Sequence, residues 1–131
     1  MKFSRAAATM LLAAVLAGCG ENDPEAGRQR FHLPPEDFKA DAETGRRLFQ
    51  AHCVECHGHR AQGTDRGPPL VDPIYRRSHH ADLTIHFAVR DGVREHHWNF
   101  GDMPPQPQIS PEEAGHIIAY IRGLQRQAGI R

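Results

Sequence analysis

Cys53, Cys56 and His57 stand in the run Cys53-Val54-Glu55-Cys56-His57. On a helical turn, cysteines three apart lie on one face. Each sulfur there can add to one vinyl group of a single haem, while the adjacent imidazole supplies a nitrogen to the iron. The chemistry implied is the movement of single electrons. Two other readings of a bare C-x-x-C compete. A dithiol redox pair needs a preceding strand and a βαβ unit, and no convincing strand run lies near position 53. A zinc site needs two further ligands. The ten histidines could supply them, but the chain has no second C-x-x-C and no H-x-x-x-H pair. The histidine directly after the second cysteine is the specific signal, and covalent haem is the expectation.

The third cysteine belongs to a different pattern. Lys2 and Arg5 precede a short apolar stretch, Ala6 to Gly18, which ends in Leu16-Ala17-Gly18-Cys19. Thirteen apolar residues are too few to span a bilayer. The four-residue ending resembles a bacterial lipobox, which implies a lipoprotein signal peptide at 1–18, lipidation of Cys19 and a chain anchored to a membrane facing the periplasm or cell exterior. The competing reading is an ordinary secretory signal that leaves Cys19 as an unpaired thiol in an oxidising compartment. Bacterial haem of this covalent type is attached outside the cytoplasm, so both motifs point to export. With two cysteines committed to the haem motif, no disulfide framework remains.

A chain of 131 residues, 39% hydrophobic with 12 Gly and 10 Pro, allows one small domain with a thin core. A haem would supply an apolar centre. Of 16 basic residues, Lys2 and Arg5 precede Cys19, leaving 14 against 16 acidic ones. That balance suggests weak long-range steering and no nucleic-acid partner. Residues 19–40 read as a polar tether with Pro24, Pro34 and Pro35, disordered at first and docked at its end through Phe31, Leu33 and Phe38.

The domain, 41–131, opens with a helix expected over Asp41 to Ala51, where Ala42, Gly45, Leu48 and Phe49 recur at helical intervals. A stronger helix is expected from Pro111 to Gln127. Ser110 is a good N-cap, Pro111 suits the first position, and Glu113 completes an S-x-x-E capping box. Ala114, Ile117, Ile118, Tyr120, Ile121 and Leu124 form its apolar stripe. A shorter helix is expected over Asp82 to Arg90, with Gly- and Pro-rich loops between the helices.

From Asp41 to Leu124 the chain resembles the monohaem class I c-type cytochromes. The resemblance implies an all-α, small cytochrome c-like fold, three main helices around one covalent haem, with the N- and C-terminal helices crossing. Gly45 and Phe49 match the first helix of that crossing, and Ile117 and Tyr120 match the last. Gly67-Pro68-Pro69-Leu70 resembles the family's G-P-x-L loop, which implies that the Pro68 carbonyl orients His57 and that Leu70 packs on the porphyrin. Met103, in Gly101-Asp102-Met103-Pro104-Pro105, matches the family's distal axial ligand and is the only methionine after the signal segment. A histidine in that role stays open. Trp98 resembles the indole that donates to a haem propionate in some relatives.

His/Met ligation by His57 and Met103 implies a carrier rather than an enzyme, with no small-molecule substrate and with protein redox partners such as an oxidase, a reductase or a dehydrogenase. A haem enzyme or gas sensor with a labile distal ligand, and a non-haem metal-binding lipoprotein, are the alternatives. The pairs His79-His80 and His96-His97 fit no family element and raise the prospect of a surface metal, copper among the candidates.

Overall fold

A computed structural model describes residues 23–131. The signal segment and Cys19 lie outside the described residues. Among the described residues five α-helices follow in order, α1 (Pro24–Arg30), α2 (Ala42–His52), α3 (Val54–His57), α4 (Asp82–Asp91) and α5 (Pro111–Gln127), with a short 3-10 helix at Pro73–Tyr75 before α4. Among the described residues the only pairing of extended backbone is one antiparallel bridge between Val93 and Met103. The fold is the small all-α one, and the three main helices agree with the sequence expectation to within a residue at each end.

The helix starts follow from local chemistry. The Asp41 carboxylate accepts the Thr44 N–H at 2.7 Å. Ser110 Oγ accepts the Glu113 N–H at 3.2 Å, and the Glu113 carboxylate accepts the Ser110 N–H at 2.8 Å. Each bond satisfies a donor that the first helical turn leaves without an internal partner. The Asp41 N–H donates across to Nδ1 of His116 on α5, at 2.8 Å, so the start of one helix is tied to the middle of the other.

The α2/α5 crossing forms the core. A Cβ at Gly45 would stand 1.8 Å from the His116 carbonyl oxygen, so only glycine lets the two backbones meet. Phe49 is wholly buried beside it, with its ring centroid 5.4 Å from that of Tyr120, and Ile117, Ile121, Leu124 and Ala61 complete the cluster. Burying a side chain the size of Phe49 contributes about 1.5–3 kcal/mol.

Within the stretch 19–40, expected as a tether docked at its end, the described residues from Asp23 onward make contacts with the domain. Asp23 caps α1, and the Phe31 ring lies 6.2 Å from that of Phe87. Arg90 Nη1 donates to the Phe31 carbonyl at 2.9 Å. Phe38 packs edge-on against His116, with centroids 4.9 Å apart, and touches α5 at Gly115. The aromatic residues scattered through this stretch return it to the domain surface.

Arg122 locks the loops to α5. It is 2% exposed, and its guanidinium donates to Asp82 Oδ1 at 2.7 Å, to the Tyr75 carbonyl at 2.6 Å, to Gln125 Oε1 at 2.6 Å and to the His80 carbonyl. Gln125 Nε2 donates to the Leu70 carbonyl at 2.8 Å. These two polar residues, buried on the last helix, hold the 70–82 segment in place.

Candidate haem site

The C-x-x-C-H run is itself the short helix α3. The His57 N–H donates to the Cys53 carbonyl and the Gly58 N–H to that of Val54, both at 2.9 Å. The turn sets Cys53 at a cavity, while Cys56, one turn on, lies beside Gly67. That cavity, of about 700 Å³ and formed between the helix crossing and the loops, is within the usual size range of cofactor sites. Phe49, Ile117 and Ile121 form its helical wall, and Leu70, Val89 and Val93 are among the apolar residues opposite.

Cys53 and His57 line this cavity, and Cys56 is half-buried on the same turn. Burial pushes the Cys53 thiol up to about 11, with the neighbouring Cys56 adding to the shift. The site therefore favours an uncharged sulfur, as a thioether is. His57 is 9% exposed, and its Nδ1–H donates to the Pro68 carbonyl at 2.9 Å. A carbonyl can only accept, so the proton is on Nδ1 and the Nε2 lone pair is free for a metal. Burial lowers the basicity of His57, and the Pro68 bond opposes that only in part. The ring is neutral at neutral pH.

The Pro68 loop is pinned in turn. The Leu70 and Val71 N–H groups donate to the Ala61 carbonyl at 2.8 and 3.1 Å, and Pro68 and Leu70 both line the cavity. Met103 lines it too. Its N–H and carbonyl both bond Val93, each at 2.9 Å, and the Gln106 N–H donates to the Val89 carbonyl at 2.8 Å. Gly92, with φ +77°, has no room for a Cβ, which would lie 2.4 Å from the Met103 carbonyl oxygen. The loop carrying Met103 is thus pressed onto the end of α4.

Trp98 also lines the cavity, and its Nε1–H is buried beside the Tyr75 hydroxyl without a hydrogen bond of full geometry. A buried indole donor so poorly matched is costly. A haem carboxylate would match it better. The C-x-x-C-H turn, the apolar walls, a neutral imidazole with one free nitrogen and this poorly matched donor together fit an iron porphyrin.

Sequence reasoning missed Gln125, which lines the cavity, and Arg122, which holds its loop wall from behind. Their signal was a polar residue on the inward face of an apolar helix: Ile118, Arg122 and Gln125 recur at helical spacing. It also missed that His79, His80, His96 and His97, from two separate stretches, all line the same cavity.

A small all-α domain with one C-x-x-C-H turn opening on one apolar cavity is a scaffold for a single covalent haem. Residues 42–125 match the cytochrome c family. The chain is 36% identical over 89 residues to a cytochrome c-553-like protein of Synechocystis sp., covering 66% of this chain and 72% of that one. Among solved structures it is similar to cytochrome CL of the marine methylotroph Methylophaga aminisulfidivorans, at 29% identity and a TM-score of 0.49, covering 63% of this chain. The chain spans about half the length of that structure, 53%. It belongs to the cytochrome c family, as a monohaem class I c-type cytochrome with covalently bound haem c.

Proposed function

We propose that this cytochrome is a one-electron carrier of the cell envelope, that His57 and Met103 are the axial ligands of its haem iron, and that lipid on Cys19 anchors it to a membrane. The observation that supports the ligation most is that His57 and Met103 line one apolar cavity while Nδ1 of His57 is already committed to Pro68. When bound, the haem supplies a ferric/ferrous couple that takes up and releases one electron.

The chain's own residues set the conditions for that couple. Cys53 and Cys56 hold the group by thioethers. His57 offers Nε2, and the Pro68 carbonyl fixes its tautomer and raises its basicity. Met103 offers a soft thioether, which favours the ferrous state relative to a second imidazole. With both side chains bound, the iron would keep no open position for a substrate. Leu70 would exclude water from the haem face, and Trp98 would donate Nε1–H to a haem carboxylate. The partners of such a carrier are redox proteins, an oxidase, a reductase or a dehydrogenase, met at the membrane to which lipid on Cys19 would hold the chain.

Spectroscopy of the haem-loaded protein tests the ligation. The ferric protein is expected to be low-spin with a methionine-to-iron charge-transfer band, and the reduced protein to ignore carbon monoxide. Met103→Ala is expected to lose the band and gain carbon monoxide binding. A five-coordinate, high-spin wild type would overturn the reading. For the anchor, Cys19→Ser is expected to move the protein from the membrane fraction to the soluble one, and equal distribution of both forms would rule lipidation out.

A further inference from the structure

We infer that His79, His80 and His97 form a binding site for a divalent transition-metal ion of the zinc or copper class at the rim of the haem cavity. One ring nitrogen from each residue lies within 4.8 Å of the others. The ring centroids are 4.7 Å apart for His79 and His80, 5.2 Å for His80 and His97, and 5.4 Å for His79 and His97. Tetrahedral zinc with Zn–N distances of about 2.0–2.1 Å requires ligand nitrogens roughly 3.4 Å apart. Small rotations of two exposed rings close that gap.

The cluster has the supports a metal site uses. His80 Nδ1–H donates to the Ile74 carbonyl at 2.8 Å, which leaves Nε2 as the ligating atom and fixes the ring. The Ile74 N–H is itself held by Asp72 at 2.9 Å, and Arg122 grips the His80 carbonyl from beneath. His80 is therefore the anchored ligand, while His79 and His97 are exposed and open to an arriving ion. His96 packs on His97, with centroids 4.2 Å apart, and is steadied by a bond from its Nδ1–H to the Arg94 carbonyl at 2.8 Å.

The donor set decides the class of ion. Three imidazoles and no carboxylate suit zinc or copper and are poor partners for calcium or magnesium, which take oxygen. The site does not depend on Met103 as the iron ligand.

Isothermal titration of the full-length, haem-loaded protein with Zn²⁺, and separately with Cu²⁺, is expected to show one saturable site per chain. His80→Gln combined with His97→Gln should weaken it by ~100-fold or more, whereas His52→Gln at the exposed end of α2 should leave it unchanged. The visible haem spectrum of each variant should match the wild type. A variant that loses those bands would show that a cluster histidine binds the iron, and would overturn the proposal. So would the absence of saturable binding, or binding retained in the double variant. Electron paramagnetic resonance of the copper-loaded ferric wild type gives a readout that needs no variant: hyperfine coupling to several nitrogens is expected, and coupling to none excludes the site.

Discussion

The helical wall of the cavity and its loop wall are built on different principles. On the helical side, Phe49, Ile117 and Ile121 belong to a core in which two backbones touch at Gly45, and close packing does most to position them. On the loop side, residues 66–80 and 92–106 have few deeply buried apolar groups. They are held by single polar pins: Arg122, Gln125, the Pro68 bond to His57 and the Val93 bridge to Met103. Packing energy is distributed over many atoms and tolerates small losses, whereas a buried polar pin is all or nothing because its partners are left unsatisfied when it goes. The two axial-ligand candidates divide the same way. His57 sits on a helical turn that continues from α2, and Met103 sits on a loop.

Arg122→Met removes the central pin with little change in volume. It leaves the Tyr75 and His80 carbonyls without a donor and takes one partner from Asp82, so a stability loss of about 3 kcal/mol is expected. Amides of residues 75–80 should exchange faster with solvent than those of α2. Uniform acceleration across the domain would show that the loop wall is no separate unit. Gly45→Ala attacks the other wall. Its Cβ would meet rigid backbone, and overpacking of this kind costs about 1–3 kcal/mol. The loss should appear as a lower melting temperature with the exchange pattern of the loops preserved, and selective loosening of 92–106 would break the contrast.

The smallest expected effect is at His86 on α4, where burial lowers the basicity of the ring and Asp82 partly opposes it. A histidine whose folded pKa lies below its ordinary 6.5 binds a proton more readily when unfolded. The stability it allows is complete above 6.5 and is lost as pH falls through that value toward the folded pKa. His86→Gln should therefore flatten the acid side of the stability profile measured by denaturant titration. An unchanged profile would mean that the ring is solvated.

Elements whose determinants lie within one turn were legible in the sequence. The Ser110/Glu113 box and Pro111 marked the start of α5, and the C-x-x-C-H spacing marked the attachment turn. The 24–30 helix was not foreseen although Asp23 and Pro24 mark its start, because its residues bury nothing and carry no apolar stripe. Pro68 as the partner of His57 came from a family resemblance, since no local rule links a carbonyl to an imidazole eleven residues earlier.

The sequence by itself determined the cofactor and how it is attached, because cysteines three apart on a helical turn, with a histidine next to them, are set by covalent geometry and i-to-i+4 bonding. Tertiary structure alone decided that Arg122 is buried, that the Trp98 indole nitrogen is buried at the cavity, and that His79, His80 and His97 meet. Those outcomes depend on which loops close over which helix face, a choice made by burial and polar satisfaction across the whole domain.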